Sequence, residues 1–451
     1  MSAQLTINDA AELLGISSFD INVAITGAAI DSRKVKGGDL FVAIVGEHND
    51  GHHYISAARE AGAAVALVSK LQNDNLPQLL VNDVVRGFGK LAAYWRKQCH
   101  CKVIAVTGSN GKTTVKEMLA AILSQSHYVI ATEGNLNNSL GVPLTLFRIQ
   151  KDTDYVVIEM GANHAGEIAE LVKLAGPTVS LINNVSEAHI EGFGSIEGVV
   201  KAKSEIYSNL PNDGVGVFNA DMSYTKYWQN LLNEQTSLSF GVNSSADVRA
   251  SDYQSYVTSS HFMVKIDDVF HYINLPLPGS HNMSNALAAM AVSKALSINV
   301  EDMVSGLDSV ESVPHRLQIR LGIKSATILD DSYNANPASY EQAIATLKTF
   351  PGEHWLVLGD FGELGIESEV IHTNLGVKAK SAGIKRLLTI GNKSRSANSA
   401  FGEGAVHFSD LTSIQEYLES RLSKDITCLI KGSRFMQLDR LADELVIRGE
   451  N

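Results

Sequence analysis

The chain has 451 residues, of which 45% are hydrophobic and 19% are charged, a composition typical of a soluble globular protein of about three domains. Its formal net charge of −12 argues against nucleic acid or an acidic membrane as a partner, although local basic groups can still hold small anions. The three cysteines cannot build a paired disulfide framework and no Cys/His set completes a zinc site, so we expect free thiols in a reducing compartment.

Residues 1–83 are predicted to form a small α/β domain. The N-terminus has neither the basic segment nor the long apolar core of a signal peptide, and no apolar run can span a bilayer, so we expect a cytoplasmic protein. A helix is predicted over Ile7–Leu14, capped by Asn8 and ended by Gly15. A βαβ pattern follows, with its strand, helix and strand over 40–45, 54–61 and 64–68.

Residues 84–312 are predicted to form a central domain around the stretch T-G-S-N-G-K-T-T at 107–114. A buried strand precedes this stretch and a helix follows it, so the loop presents backbone N–H groups and a helix N-terminus to a phosphate. Lys112 adds a positive charge, and the hydroxyl of Thr113 is suited to Mg²⁺. Val106 stands where the usual P-loop has a glycine. A glycine-rich turn without a ligand is the alternative, which the lysine and the threonine disfavour.

Three further strands of this domain, each ending in a polar residue, are predicted over 155–159, 179–183 and 215–219. Open α/β sheets bind ligands at the carboxyl ends of their strands, and that edge would carry Thr107, Glu159, Asn183 and Asn219. Glu159 beside the loop suits Mg²⁺, with a helix-capping or salt-bridged carboxylate as the alternative.

The polar side chains that come after these strands point less clearly to a function. His189 is ordinarily interpreted as a solvated loop residue, and Lys201 and Lys203, two apart in a helix, cannot both face the site. Asn282 and Asn285 share a helix face that suits an adenine edge, although helix capping explains Asn282 equally well.

Residues 313–451 are predicted to form a Rossmann-like third domain. Arg316 lies near its start, where a guanidinium would clamp a phosphate when two domains close. A strand over 327–329 leads into D-D-S-Y-N-A-N-P at 330–337, and a helix over 338–347 follows. No G-x-G-x-x-G is present, which disfavours dinucleotide redox chemistry. The predicted fold class is α/β in three domains: a small α/β N-terminal domain, a central P-loop mononucleotide-binding open sheet and a C-terminal Rossmann-like domain.

These motifs together resemble the Mur ligase family, the ATP-dependent amide-forming enzymes of peptidoglycan precursor synthesis. The resemblance runs the whole chain: T-G-S-N-G-K-T-T at 107–114, E-G-N-L-N-N-S-L-G-V-P at 133–143, I-E-M-G-A-N at 158–163, A-K-S-E-I at 202–206, G-S-H-N-M-S-N-A at 279–286 and H-R at 315–316. Three stretches are similar to the member that adds D-alanyl-D-alanine to UDP-N-acetylmuramoyl-tripeptide: 330–337, L-G-D-F-G-E-L-G at 358–365 and L-I-K-G-S-R at 429–434. Phe361 replaces a Met expected there. The D-N-P-R motif of the meso-diaminopimelate-adding member is absent.

The resemblance implies ATP and Mg²⁺ as cofactors. ATP would be bound by Gly108, Ser109, Asn110, Gly111, Lys112, Thr113, Thr114, Asn282, Asn285, Arg316 and Asp331. One Mg²⁺ would be held by Thr113 and Glu159, and a second by His189 and a carbamylated Lys203. The catalytic residues would be Lys112, His189, Lys203 and Arg316.

The resemblance also implies where the substrates bind. The uridine nucleotide would be held by Ser32, Arg33, Glu47 and His48, and the path of the muramoyl-peptide would be lined by Asn135, Asn138 and Asn163. Ser433 and Arg434 would face D-alanyl-D-alanine. A terminal carboxylate would attack the γ-phosphate to give an acyl phosphate, which the amine of the dipeptide would then attack. We expect the third domain to close onto the second, in a protein that is a monomer.

Three alternatives stand beside this hypothesis. A folylpolyglutamate synthase shares the P-loop and the domain order but does not need D-S-Y-N-A-N-P. A P-loop switch or kinase would release phosphate without an amine acceptor. A nucleotide-binding module without catalysis would leave Glu159, His189 and Lys203 without a task.

Overall fold

The computed structural model describes residues 5–187, 190–243 and 245–447, which fall into three α/β units with separate, largely parallel sheets. This arrangement agrees with the predicted fold class. The three units follow one another along the chain, so each sheet is built from one continuous part of the sequence.

The elements of the N-terminal unit are β1 (Leu5–Thr6), α1 (Ile7–Leu14), β2 (Ala24–Ile25), β3 (Gly27–Ala29), β4 (Asp39–Val42), α2 (Ile55–Glu60), β5 (Val65–Val68) and β6 (Gln78–Leu80). Strands β3 to β6 form a parallel sheet in sequence order, and β1 pairs with β2 antiparallel. The βαβ pattern expected from the sequence therefore forms, with shorter elements.

Helix α1 begins at a capping box. The Asp9 N–H donates to Thr6 Oγ1 at 3.2 Å, and the Thr6 N–H donates to the Asp9 carboxylate at 2.8 Å. The prediction of Asn8 as the cap was wrong, because the Asn8 amide instead bonds the backbone of Phe19. Gly15 ends the helix at φ 72°, in the left-handed region that favours glycine.

The elements of the central unit are α3 (Val84–Lys97), β7 (Lys102–Thr107), α4 (Lys112–Leu123), β8 (Val129–Ala131), α5 (Gly141–Phe147), β9 (Tyr155–Glu159), α6 (Glu167–Ala175), β10 (Val179–Ile182), α7 (Ile190–Phe193), α8 (Ile196–Ser204), β11 (Val215–Asn219), α9 (Thr225–Leu231), β12 (Thr236–Gly241), β13 (Val248–Ser255), β14 (Ser260–Ile266), β15 (Val269–Leu275), α10 (Ser280–Ala295) and α11 (Val300–Asp308). The sheet order is β15-β14-β13-β12-β11-β10-β7-β9-β8. The strands from β8 to β13 run parallel, while β14 and β15 extend the sheet as an antiparallel ribbon.

The elements of the C-terminal unit are β16 (Gln318–Leu321), β17 (Thr327–Asp331), α12 (Pro337–Leu347), β18 (Glu353–Gly359), α13 (Ser368–Ser381), β19 (Arg386–Ile390), α14 (Ser394–Phe401), β20 (Ala405–Phe408), α15 (Leu411–Arg421), β21 (Ile426–Lys431) and α16 (Leu438–Glu444). The sheet order is β16-β17-β21-β18-β19-β20, parallel except for β16.

One buried hydrophobic cluster spans the first two units, each of which also has a cluster of its own, whereas the C-terminal unit shares none. Phe88 and Leu91 of α3 belong to a single buried cluster with Leu40 of the N-terminal sheet and Val103 of the central sheet. The two buried clusters of the C-terminal unit contain only its own residues. The N-terminal sheet therefore depends on α3 to cover one of its faces.

The parallel strands of the central sheet place polar side chains on one edge. Thr107 lies opposite Ile182 in the register of β7 and β10, and Glu159 lies opposite Val106. With Asn183 and Asn219 at the ends of β10 and β11, the edge predicted from the sequence is present. All four of these side chains are buried.

Candidate active site

A cavity of about 900 Å³ lies between the central and C-terminal units, above the carboxyl ends of the central strands. Its wall is contributed by the loop before α4, the ends of β9 and β11, the start of α10 and the segment that precedes α12. A cavity of this size that is lined by convergent polar groups is where a ligand is expected in an open α/β fold.

The loop between β7 and α4 has the conformation of a phosphate-binding turn. Gly111 adopts φ 75°, and a Cβ there would lie 2.4 Å from Asn285 Oδ1, so only glycine fits. The ammonium of Lys112 folds back to donate to Gly108 O at 2.8 Å. Burial lowers the pKa of Lys112, an effect that Glu159 opposes and Arg316 reinforces. The N-terminus of α4 and one lysine thus point at the same part of the cavity.

Thr113 and Glu159 meet at the bottom of this cavity. Thr113 Oγ1 donates to Glu159 Oε2 at 2.8 Å, and Asn137 Nδ2 donates to Glu159 Oε1 at 2.7 Å. Both partners of the first bond are buried, at 4% and 1% exposure. The alternative of a helix-capping or salt-bridged Glu159 does not apply, since the described partners of its carboxylate are a hydroxyl and an amide. Hard oxygen donors are gathered here at one point.

Lys203 faces the cavity and Lys201 does not, in agreement with the prediction that the two lysines cannot both face the site. The Lys203 side chain is buried at 2% exposure in α8, whereas Lys201 is exposed. Burial, reinforced by the positive charge of Lys112, lowers the pKa of Lys203 well below its ordinary value. The fold therefore favours the uncharged form of this amine more than water does.

Asn282 and Asn285 lie in the first turns of α10 and line the cavity. Gly279 is the N-cap of the helix, so the capping alternative for Asn282 is wrong; its Nδ2 donates instead to Pro278 O at 2.8 Å. Asn285 Nδ2 donates to Asn282 Oδ1 at 3.3 Å, which confirms the shared face.

Arg316 and Asp331 reach the cavity from the C-terminal unit. The Arg316 guanidinium stacks on the Tyr333 ring, 4.2 Å from its centroid. The Asp331 carboxylate accepts from Lys431 and from the Leu317 N–H. Burial raises the pKa of Asp331, and the neighbouring Lys431 opposes the rise.

The residues expected to hold the substrates fall into three places. Those lining the cavity are Asn135, Asn138 and Asn163. Those at the carboxyl ends of β3 and β4, away from this cavity, are Ser32, Arg33, Glu47 and His48. The C-terminal pair does not line the cavity: Ser433 Oγ accepts from the Gly362 N–H at 2.9 Å, and Arg434 pairs with Asp439 at 2.6 Å. His189 lies outside the described residues.

Arg33 already has a partner in this structure. Its guanidinium bonds both carboxylate oxygens of Asp31, at 2.9 and 2.7 Å, yet 86% of the Arg33 side chain is exposed. These bonds lower the pKa of Asp31 to about 2. The pair leaves the guanidinium open to solvent and to an anion.

Sequence reasoning missed three residues that the fold brings to the cavity. Asn137, inside the quoted N-L-N-N run, binds Glu159. Asn336 Nδ2 donates to Asn110 Oδ1 at 2.8 Å and so joins the C-terminal unit to the nucleotide loop. Lys431 lies buried at the end of β21 beside Asp331. All three residues lie within the quoted motifs, but their partners could not be predicted from those motifs.

Comparison with known proteins accounts for this arrangement. The models of the Mur ligase family match along the chain: "Mur ligase family, catalytic domain" over residues 24–124, "Mur ligase middle domain" over 106–293 and "Mur ligase, glutamate ligase domain" over 315–434. A relative from Escherichia coli, UDP-N-acetylmuramoyl-tripeptide–D-alanyl-D-alanine ligase, is 41% identical over 99% of both chains. The chain belongs to the Mur ligase family. The resemblance inferred from the motifs is confirmed, and the chain is a ligase.

Solved structures of Mur ligases match the fold closely. The MurF of Acinetobacter baumannii superposes with a TM-score of 0.90, at 32% identity over 98% of both chains. The MurF of Thermotoga maritima, solved in complex with ADP, gives a TM-score of 0.81 at 28% identity over 93% of this chain and 97% of that one. The predicted three-domain α/β class is thereby confirmed. In the described ranges, none of the helices combines the length and the apolar character needed to cross a membrane.

Proposed function

We propose that this Mur ligase joins D-alanyl-D-alanine to UDP-N-acetylmuramoyl-tripeptide, with conversion of ATP to ADP and phosphate. The relative from Escherichia coli is named for this reaction, and the ADP complex of the Thermotoga maritima protein supports ATP as the nucleotide. The observation that carries the proposal is the cavity, which Lys112, Glu159 and Lys203 line beneath a C-terminal unit that carries Arg316, with Thr113 bonded to Glu159.

The nucleotide would lie along the start of α4 with its adenine toward α10. The backbone of Gly108 to Thr114 offers N–H groups and Lys112 a positive charge to the β- and γ-phosphates. Arg316, held on Tyr333, faces the same region from the other unit. Asn282 and Asn285 present the amides for adenine, and Asp331 a carboxylate for the ribose.

Mg²⁺ fits the oxygen donors at the bottom of the cavity. Thr113 Oγ1 and Glu159 Oε2, 2.8 Å apart, form the donor pair of a Mg²⁺ site next to phosphates. When bound, Mg²⁺ would neutralise charge on the transferred phosphoryl group. We propose that His189 belongs to a second site.

Lys203 would complete the second site after reaction with carbon dioxide. As an uncharged amine it can attack the carbon of CO₂; an N–C bond forms, the amine loses one proton, and a carbamate anion results. A side chain that carries a positive charge when protonated would thereby become an anionic oxygen ligand. The burial of Lys203 and the lowering of its pKa support the step.

The reaction would proceed in two transfers. The terminal carboxylate of the tripeptide attacks the γ-phosphorus of ATP, ADP leaves, and an acyl phosphate forms; Lys112 and Arg316 offset the charge of the moving group. The neutral amine of D-alanyl-D-alanine then attacks the acyl carbon, phosphate leaves and the amine gives up a proton. Asn135, Asn138 and Asn163 would orient the peptide between these reactants.

The remaining assignments follow from position. We propose that the domains are 1–83, 84–312 and 313–451, that the N-terminal residues Ser32, Arg33, Glu47 and His48 hold the uridine nucleotide, and that Ser433 and Arg434 face the dipeptide. Arg434 lies over the same Tyr333 ring as Arg316, 5.6 Å from its centroid, which supports an acceptor site adjoining the phosphate site. We further propose a cytoplasmic monomer.

The test is phosphate release by the purified chain with ATP, Mg²⁺ and UDP-N-acetylmuramoyl-tripeptide, with and without D-alanyl-D-alanine. Release that requires both substrates, with a UDP-pentapeptide product in the mass spectrum, is the expected result. Release indifferent to D-alanyl-D-alanine would overturn the proposal in favour of another ligase or an NTPase.

A further inference from the structure

Five asparagine residues form a hydrogen-bonded row across the nucleotide loop, in which one link passes through the backbone carbonyl of Asn110. Asn285 Nδ2 donates to Asn282 Oδ1 at 3.3 Å, and Asn183 Nδ2 donates to Asn285 Oδ1 at 2.8 Å. Asn183 Nδ2 also donates to Asn110 O at 3.0 Å, and Asn336 Nδ2 donates to Asn110 Oδ1 at 2.8 Å. The row starts at the adenine side of the cavity and ends in the C-terminal unit.

Asn110 at the tip of the loop is held in one orientation. Its N–H donates to Asn184 Oδ1 at 2.9 Å, and its Nδ2 donates to Ser186 Oγ at 3.1 Å. Because the Asn110 amide uses its donor on Ser186, its Oδ1 is the acceptor available to the C-terminal unit. The loop therefore offers a hydrogen-bond acceptor of fixed direction.

Asn336 uses the two halves of its amide for two tasks. It is the N-cap of α12, where its Oδ1 accepts from the Ser339 N–H at 2.8 Å. Its Nδ2 is left for Asn110, which lies 226 residues earlier in the chain. Since the cap fixes the side chain relative to α12, the bond to Asn110 fixes α12 relative to the nucleotide loop.

We propose that Asn336 is a positioning residue that docks the C-terminal unit on the nucleotide loop and so couples nucleotide binding to domain closure. A nucleotide that contacts Asn282 and Asn285 holds the far end of the row, and the row holds the acceptor that Asn336 needs. The proposal rests on the proposed function only in taking ATP as the nucleotide.

Two variants separate docking from capping. Asn336→Ser keeps a good N-cap but has no donor that reaches Asn110, and Asn336→Asp keeps both cap and length but carries only acceptors. Asn299→Ser is the matched control, because Asn299 caps α11 through the Asp302 N–H at 2.7 Å on the exposed side of the central unit. All three variants should melt close to the wild type.

The measurements are small-angle scattering and calorimetric affinity with a non-hydrolysable ATP analogue and Mg²⁺. Wild type and Asn299→Ser should compact on binding, whereas the Asn336 variants should compact less and bind the analogue about 3- to 10-fold more weakly, the effect of one hydrogen bond. We also expect kcat/KM for D-alanyl-D-alanine to fall, because the unit proposed to carry the dipeptide would dock less tightly on the nucleotide loop.

Three outcomes would overturn the proposal: compaction and affinity unchanged in both Asn336 variants, the same defect in Asn299→Ser, or no compaction in the wild type. If the loss of compaction and affinity occurred only together with a lowered Tm, Asn336 would likewise be assigned to helix capping alone. Failure of the wild type to form the UDP-pentapeptide would instead overturn the proposed function, and the two failures are distinguishable because compaction is measured without the dipeptide.

Discussion

At the scale of single residues, the cavity is defined by polar groups that the fold buries with few partners. The Thr113 hydroxyl and the Glu159 carboxylate bond one another at 2.8 Å, and burial lowers the pKa of Lys203. Burying such groups costs stability unless they are paired, so their retention at one point indicates chemistry. Two substitutions test this.

Replacing Thr113 by Val removes the hydroxyl and nearly preserves the volume. We expect ATP-dependent phosphate release to fall by about 10²-fold or more, the size of effect seen when one preorganised polar group leaves an active site. Thr113→Ser, the matched control, keeps the oxygen and should lose far less. Equal rates for the two variants, measured over a Mg²⁺ titration, would remove Thr113 from the metal site.

Replacing Lys203 by Met should raise stability and abolish the reaction. Between its lowered folded pKa and its ordinary value of 10.5, Lys203 binds a proton in the unfolded chain but not in the folded one, so wild-type stability rises with pH there. The stability advantage of Lys203→Met should therefore shrink as the pH is raised toward that value. Urea unfolding at several pH values measures this difference in the free energy of unfolding. In the Lys201→Met control the difference from wild type should not change with pH in this way. A Lys203→Met variant less stable than wild type at neutral pH would contradict the assignment.

At the scale of elements, strand ends and the nucleotide loop were predictable, and contacts between distant segments were not. The strands Tyr155–Glu159 and Val215–Asn219 have the predicted bounds, since buried apolar runs with polar ends have few other interpretations. The cap of α1 was misassigned because Thr6 and Asn8 are both good caps, and the reciprocal bonds of Thr6 with Asp9 decide between them. Asn336 was missed because its partner is 226 residues away.

The turn that starts α4 gives a prediction at this scale. Gly111→Ala places a Cβ 2.4 Å from Asn285 Oδ1 at φ 75°, so the loop and the adenine-side amide must both shift, and we expect nucleotide affinity to fall at least tenfold. Gly166→Ala is the control: Gly166 also starts a helix, at φ 90°, but a Cβ there meets nothing within 4 Å. Both variants should lose about 1 kcal/mol of stability to the strained backbone, and only Gly111→Ala should lose ATP binding by titration calorimetry. Equal affinities would mean that the loop accommodates the side chain.

At the scale of the whole molecule, the three units are not all packed independently, because one buried cluster spans two of them. The cluster that includes Leu40, Phe88 and Val103 joins the first two units, and the C-terminal unit is packed on its own residues. The three-domain class could be predicted from the alternation of strands and helices. The sharing of a core could not, because it depends on which face of α3 each sheet covers.

Thermal unfolding should accordingly show two transitions, one for the N-terminal and central units together and one for the C-terminal unit. Leu40→Ala should lower the free energy of unfolding for the first transition only, and Leu356→Ala for the second only. Each loss should be about 2–5 kcal/mol, because both side chains are fully buried. Differential scanning calorimetry of the full chain measures both. A separate early transition for the N-terminal unit in Leu40→Ala would contradict the shared core.

The shared core also bears on how the chain is made. A ribosome releases the N-terminal sheet first, but the helix that covers one of its faces begins at Val84, and the central strands behind that helix come later still. Until those segments emerge, one apolar face of the nascent sheet is exposed to solvent, and chaperones recognise such a surface. The C-terminal unit is synthesised last and can bury its apolar faces without any other segment, since both of its hydrophobic clusters consist of its own residues.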